Sequence, residues 1–254
     1  MNVFLVRGTV VDNKLKSTQK RFPTYLEDQS MFFDEVITTD WDSYQNSHWT
    51  SSRQFEVDKL FKEINPTKIL DVGCGCGFHD VLMAEKAGVE SVVGIDCSPK
   101  SIETANRVYA HHKVSRKVGD IFHMDPGGYD LVVSFQVIEH VTDSLAFLKA
   151  CASQVHSGGW VAVATPNRER LQNRLRRMLW LHPTLASPQH FLEYTSQELS
   201  RIGRMAGLTS QAVFAYGLTL NVPGFGFSII PSGMWRLGFL LPSYADGFCV
   251  VFRR

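Results

Sequence analysis

The run Lys68-Ile-Leu-Asp-Val-Gly-Cys-Gly-Cys-Gly-Phe78 decides the reading of this chain. A short apolar stretch ends at Asp71, three glycines alternate at Gly73, Gly75 and Gly77, and an amphipathic segment follows. That order spells a buried strand, a tight turn and the start of a helix. Glycine takes positive φ at no steric cost and lets backbone approach a ligand closely. The helix start adds unpaired N–H groups and the positive end of the helix dipole. A dinucleotide loop needs G-x-G-x-x-G. Here the third glycine comes one position early, and Phe78 stands where that glycine should be.

Outward from the loop, strand and helix signals alternate, which predicts a doubly wound α/β sheet. Strands are expected at 69–72, 91–96, 114–120, 130–137, 160–165, 208–216 and 248–252. Helices are expected at 80–87, 99–110, 142–155 and 196–205. Ser51 or Ser52 caps a leading helix to about Ile64, with Phe55, Leu60, Phe61 and Ile64 on its apolar face. Residues 1–50 read as a lid or cap segment, with a candidate strand at 2–11, a basic connector at 14–21, and aromatics at Phe32, Phe33, Trp41, Tyr44 and Trp49. Residues 51–254 read as one domain. Two insertions interrupt it, at 167–194 and 217–247. Both are far longer than ordinary connections. Both lie where loops beyond the strand ends build a ligand crevice, so they are expected to cap the acceptor.

With 254 residues, 44% of them hydrophobic and 20% charged, the chain is an ordinary globular one, and a net charge of +1 removes only the strongly basic case. Five cysteines without framework spacing point to a reducing cytosol. Cys74 and Cys76 are small enough to fill a crowded turn, and no second cysteine pair stands ready to hold zinc with them. The apolar run at 3–6 is too short for a signal peptide, and prolines, glycines and Arg236 make 217–241 a poor membrane span.

Four stretches, in order, resemble the class I S-adenosylmethionine (SAM) methyltransferases. They are D-x-G-x-G-x-G from Asp71, Val92-Val-Gly-Ile-Asp96, Gly119-Asp120-Ile121, and Ser134-Phe-Gln-Val-Ile-Glu-His-Val141. The resemblance covers roughly 51–217 and the last strand. It implies a seven-stranded Rossmann-like fold whose final strand runs antiparallel between the fifth and sixth. It implies SAM as cofactor. Asp71, Gly73, Cys74, Gly75 and Gly77 would hold its methionine end. Asp96, with Cys97 beside it, would take the ribose hydroxyls, a task suited to a bidentate carboxylate. Asp120 would meet the adenine amino group and Ile121 the ring. Backbone at Phe135 and Gln136 would lie beside the methyl donor.

Glu139-His140 has two readings in that family. The histidine packs or caps, or the pair belongs to an E-x-x-E-H divalent-metal set, as in ubiquinone-pathway O-methyltransferases and small-RNA 2′-O-methyltransferases. Ala164-Thr-Pro-Asn167 and His190-Phe-Leu-Glu-Tyr-Thr195 resemble the RNA group. Gln136 replaces the first glutamate, which costs an anionic ligand and disfavours Mg²⁺. With or without metal, His140 and His190, with Glu139 beside them, are the catalytic candidates, because a neutral imidazole can take a proton from an attacking hydroxyl.

The segment 168–180 carries five arginines above an apolar face of Leu171, Leu175, Met178 and Leu179. It fits a solvated helix, a steering patch for phosphate-bearing acceptors, or an anionic membrane surface. The apolar insertion after it (Leu218 to Leu241) fits a lipid- or quinone-like acceptor, a membrane dock or a packed lid. The expected activity is methyl transfer from SAM to a hydroxyl on a small or lipid-linked molecule in the cytoplasm. Methylation of RNA and a non-catalytic SAM-binding subunit are the alternatives. RNA is disfavoured by the apolar character of the cap.

Overall fold

The computed structural model describes residues 6–7, 26–39, 49–187, 189–221, 227–229 and 237–254. The expected connector at 14–21, Trp41, Tyr44 and most of 222–236 lie outside the described residues.

Seven strands form the main sheet: β2 (Lys68–Val72), β3 (Ser91–Asp96), β4 (Val114–Val118), β5 (Tyr129–Phe135), β6 (Val155–Pro166), β7 (Thr209–Tyr216) and β10 (Gly247–Arg253). Their order is β4-β3-β2-β5-β6-β10-β7. The pairs from β4 to β6 are parallel, and β10 runs antiparallel to both β6 and β7. This is the doubly wound methyltransferase sheet that the sequence predicts, with the late antiparallel strand where the resemblance puts it.

Strand alternation divides the core into two layers. Leu70, Val132, Val161 and Val163 face Phe147, Leu148 and Leu199 of helices α5 (Ser144–Gln154) and α7 (Ser196–Met205). Ile69, Leu131, Val133 and Ala162 face Val57, Leu60 and Met83 of α2 (Trp49–Glu63) and α3 (Phe78–Ala84). Both layers consist of fully buried side chains, each contributing on the order of 1.5–3 kcal/mol.

Helix α2 begins at Trp49, so Ser51 and Ser52, expected to cap it, lie inside its first turn instead. Ser98 caps α4 (Pro99–Val108) by accepting from the Ser101 N–H, and Thr195 and Glu198 form a capping box on α7. The fifth strand begins earlier than expected, because buried Val155 pairs with Tyr129 instead of ending the preceding helix. The third strand ends two residues early, at Val118, because Asp120 caps a 3₁₀ turn at Ile121–His123.

Asp130 pins the start of the central pair. Its Oδ2 accepts from the Thr67 hydroxyl at 2.6 Å, the Thr67 N–H at 2.8 Å and the Lys68 N–H at 2.9 Å. Burial alone would raise this carboxyl, but those bonds and His156 outweigh it and bring the pKa to about 2. A carboxyl lowered by folding stabilises the protein above its unfolded pKa and loses that stabilisation as pH falls through the folded value. Asp130→Asn is therefore expected to cost ~1–2 kcal/mol at neutral pH, allowing for solvent screening. In urea titrations the gap to wild type should shrink as pH falls from about 4 toward 2. A gap independent of pH would mean that the bonds to Thr67 and Lys68 do not depend on the charge.

A second, three-stranded sheet joins β1 (Val6–Arg7), β9 (Phe227–Ile229) and β8 (Leu220–Asn221). It ties the N-terminal segment to the 217–247 insertion. Helix α1 (Leu26–Thr39) packs on α4, where Asp34 accepts from the Ser98 hydroxyl at 2.5 Å and the Lys100 N–H at 3.1 Å. No helix of the described residues is long and apolar enough to cross a membrane.

Candidate active site

The order of the parallel strands reverses between β2 and β5, and ligands of open α/β sheets bind outside the strand ends at such a point. A cavity of about 730 Å³ opens there. The glycine loop forms its floor. Gly73 has φ +76°, and a Cβ there would meet Val137 Cγ2 at 2.3 Å. Gly77 has φ +81°, and a Cβ there would meet the Arg116 guanidinium at 2.7 Å. Only glycine satisfies both the backbone and the space. The Gly73 and Cys74 N–H groups both donate to the Ile95 carbonyl, which anchors the loop to β3.

Several of the sequence candidates come together on the cavity wall: Gly73, Cys74, Gly75, Asp96, Cys97, Asp120, Ile121, Phe135, Gln136, His140 and His190. Asp96 accepts from the Gly75 N–H at 2.9 Å and the Ser98 N–H at 2.8 Å, so it couples the loop to the α4 cap and keeps lone pairs for a ligand. Asp120 is partly spent on its own turn, accepting from the Phe122 N–H at 3.1 Å and lying 2.8 Å from His123 Nδ1.

Three candidates do not line the cavity: Asp71, Gly77 and Glu139. For Asp71 the cause is the period of the strand. It shares the Ile69 face, under α3, and not the crevice. Burial first, then Asp80, raises its carboxyl well above the usual range. Asp80 in turn pairs with Arg116 Nε at 2.6 Å, and Arg116 donates to the carbonyls of Gly77, Ala105 and Tyr109. Asp71, Asp80 and Arg116 form a buried charged group beneath the loop. Gly77 meets that group through its carbonyl. The thiols of Cys74 and Cys76 are pushed up by burial, Cys76 to about 12, so both stay protonated and fill space.

Glu139 sits just behind the wall, fully buried, accepting from the Thr165 hydroxyl at 3.0 Å through Oε2. Burial raises its pKa to about 8. One possible ligand atom each from Glu139, His140 and His190 lies within 4.8 Å of the others. The two imidazoles meet edge to face with centroids 4.8 Å apart, and the Phe33 ring lies 5.5 Å from His140. Burial first, then the neighbouring His190, lowers the His140 pKa to about 4. His140 is therefore neutral at physiological pH. His190 Nδ1 lies 3.0 Å from Glu193 Oε1. The second oxygen of Glu193 takes the buried Arg170 guanidinium. Arg170, His190 and the cavity residues 184–187 all come from the 167–194 insertion.

Sequence reading missed a second polar group on this wall. Arg53 and Glu56 of α2, His79 of α3 and Tyr216 of β7 all line the cavity. His79 stacks on Phe135 at 4.3 Å and lies 3.2 Å from Glu56, while Gln136 donates to the Tyr216 hydroxyl at 2.8 Å. The available signal was a polar pair, Arg53 and Glu56, at i,i+3 spacing in a helix whose other face is apolar. Gln136 itself has φ +61°, an uncommon conformation for a residue other than glycine.

This fold and this cleft define an S-adenosylmethionine-dependent methyltransferase. A methyltransferase-domain family matches residues 41–213, and the chain belongs to that family. The ubiquinone biosynthesis O-methyltransferase of Thiobacillus denitrificans is 34% identical over 199 residues, 68% of this chain and 82% of that protein. The one from Nitrosomonas europaea is 30% identical over 178 residues, 65% of this chain and 72% of that protein. The fold is shared with magnesium protoporphyrin IX methyltransferase from Synechocystis. That match has a TM-score of 0.60 at 16% identity and covers 89% of this chain and 100% of that one. SAM is the methyl donor.

Proposed function

We propose that the chain transfers the SAM methyl group to a hydroxyl on a small, quinone-like or lipid-linked acceptor. The observation that carries this is the paired His140 and His190 on the cavity wall, one held neutral and the other backed by a carboxylate. SAM would lie with its methionine end over the Gly73–Cys76 loop, its ribose at Asp96 and its adenine at Asp120 and Ile121. The cleft fits that placement, because Asp96 offers a carboxylate edge and the loop leaves no room for a Cβ at Gly73. The cofactor supplies a methyl group on a sulfonium, and the protein aligns the acceptor and excludes water. His190 accepts the hydroxyl proton at Nε2. Glu193, ionised because His190, the Ala186 N–H and Arg170 outweigh its burial, holds Nδ1 and stabilises the imidazolium. His140 Nδ1 has no other partner among the described residues, so it accepts from the acceptor hydroxyl or a neighbouring one.

A divalent cation is a second element of this reading. Glu139 Oε1 and His140 Nδ1 are both buried without a hydrogen-bond partner, and with His190 they make a donor set that suits a first-row metal. Such an ion would lower the pKa of a bound hydroxyl. The amide N–H of Gln136 is engaged by Tyr216.

The lipid-linked class draws support from the distant ubiquinone-pathway relatives and from the tip of the 167–194 insertion. There Trp180 is 95% exposed beside exposed Met178 and Leu179, with Arg176 and Arg177 in the preceding turn of α6 (Leu171–Met178). An apolar tip rimmed by arginines fits peripheral contact with an anionic membrane. The lid role of 1–50 and the capping role of both insertions belong to the same proposal. Helix α1 supplies Gln29, Phe33, Val36 and Ile37 to the cavity.

The test uses purified protein, methyl-labelled SAM and cell extract split into organic, aqueous and RNA fractions, with and without chelator. Label is expected in the organic fraction. Trp180→Glu should reduce labelling of acceptor in anionic vesicles but not of acceptor in detergent. Nuclease-sensitive label in RNA would replace this reading with 2′-O-methylation. Unconsumed SAM with every fraction would leave a SAM-binding subunit.

A further inference from the structure

The cofactor carries an α-ammonium, and nothing in the SAM placement above accounts for its charge. Of the residues described here, four carboxylates line the cavity: Glu56, Asp96, Asp120 and Asp246. Asp96 is held by the Gly75 and Ser98 N–H groups, at the proposed ribose end. Asp120 caps its own 3₁₀ turn on the adenine side. Asp246 accepts from the Thr219 hydroxyl at 2.6 Å, in the cap. Asp71, the acidic residue that leads the glycine loop, does not line the cavity. Glu56 remains. It lines the cavity and is 2% exposed. It lies 3.2 Å from His79, in the first turn of the helix that follows the loop. Arg53 stands one turn earlier on the same face of α2 and also lines the cavity. A cation and a carboxylate three residues apart match the two opposite charges of an α-amino acid.

We propose that Glu56, positioned by His79, is the anionic partner of the α-ammonium of the cofactor. The inference rests on the cofactor placement proposed above. A buried carboxylate is costly unless paired, and a ligand ammonium completes the pairing that His79 begins. Removing that partner leaves the cofactor charge desolvated, so the effect should be specific to ligands that carry the amino group.

The experiment compares two ligands by calorimetry, S-adenosylhomocysteine and its analogue with hydrogen in place of the α-amino group. Wild type is expected to bind the amino compound at least about tenfold more tightly. Glu56→Gln is expected to lose most of that preference by weakening the amino compound alone, with a circular dichroism spectrum like wild type. Glu56→Asp, which keeps the charge but pulls it back, should fall between the two and serves as the readout if Glu56→Gln does not fold. Equal affinity of wild type for both ligands, or an unchanged preference in the variants, would overturn the assignment to Glu56. Failure of wild type to bind S-adenosylhomocysteine at all would instead overturn the cofactor placement.

Discussion

His190→Ala is expected to lower kcat by about 10²–10⁴-fold while leaving S-adenosylhomocysteine affinity unchanged. The imidazole is not placed against the cofactor loop. It comes from the 167–194 insertion, with Glu193 at Nδ1 and Arg170 behind the carboxylate. A general base acts only as the acceptor oxygen attacks, so its removal belongs in kcat and not in cofactor binding. Two controls sharpen the test. His140→Ala should also lower turnover, because the two rings share one wall at 4.8 Å. In wild type His140 stays neutral down to about pH 4, so the acid limb of its own titration lies well below that of an ordinary histidine near 6.5. Turnover close to wild type in His190→Ala would remove this residue from the reaction. Retained turnover in His140→Ala would remove both its contact with the acceptor and the metal role of the Glu139, His140 and His190 group.

Asp96→Ala is expected to weaken S-adenosylhomocysteine binding at least about tenfold, on the order of 1.4 kcal/mol. Two losses add. In the proposed placement the ribose loses a carboxylate that would accept two hydroxyls, and the glycine loop loses the acceptor that holds the Gly75 N–H at 2.9 Å. Asp96→Asn keeps one oxygen acceptor and should lose less. Calorimetry separates the cases, and an affinity equal to wild type in Asp96→Ala would take the ribose away from this residue. The expected effect exceeds that of any change at Asp71. Asp71→Asn changes a buried group that does not line the cavity, so its consequence should be read in stability before it is read in cofactor affinity.

The contrast between Asp71 and Asp96 shows how far local pattern reaches. Both follow apolar strands and both stand beside the loop, so both read as ligands. Asp96 ends its strand, where the chain turns and the side chain is released toward the crevice. Asp71 sits one residue inside its strand, where the two-residue alternation commits it to the Ile69 face. That rule is in the sequence, but the face that carries helix α3 is not. Arg116 is a harder case. It lies in the weakly patterned β4, and only the pairing of β4 with β3 brings it under Gly77. Glu56 and His79 are 23 residues apart and meet because α2 packs on α3.

By itself, the amino-acid sequence determined the alternating sheet, the loop that only glycine can form, the helix cap at Ser98, and the order of the cofactor motifs. These depend on neighbours a few residues apart, where φ preference, capping and periodicity act. Tertiary structure alone decided which carboxylates face the cleft, that Arg116 and Asp80 carry the loop, and that His140 and His190, fifty residues apart in the chain, share one wall. Those outcomes depend on which strand lies beside which and on what burial does to a charge, and neither is written in any short window of the chain.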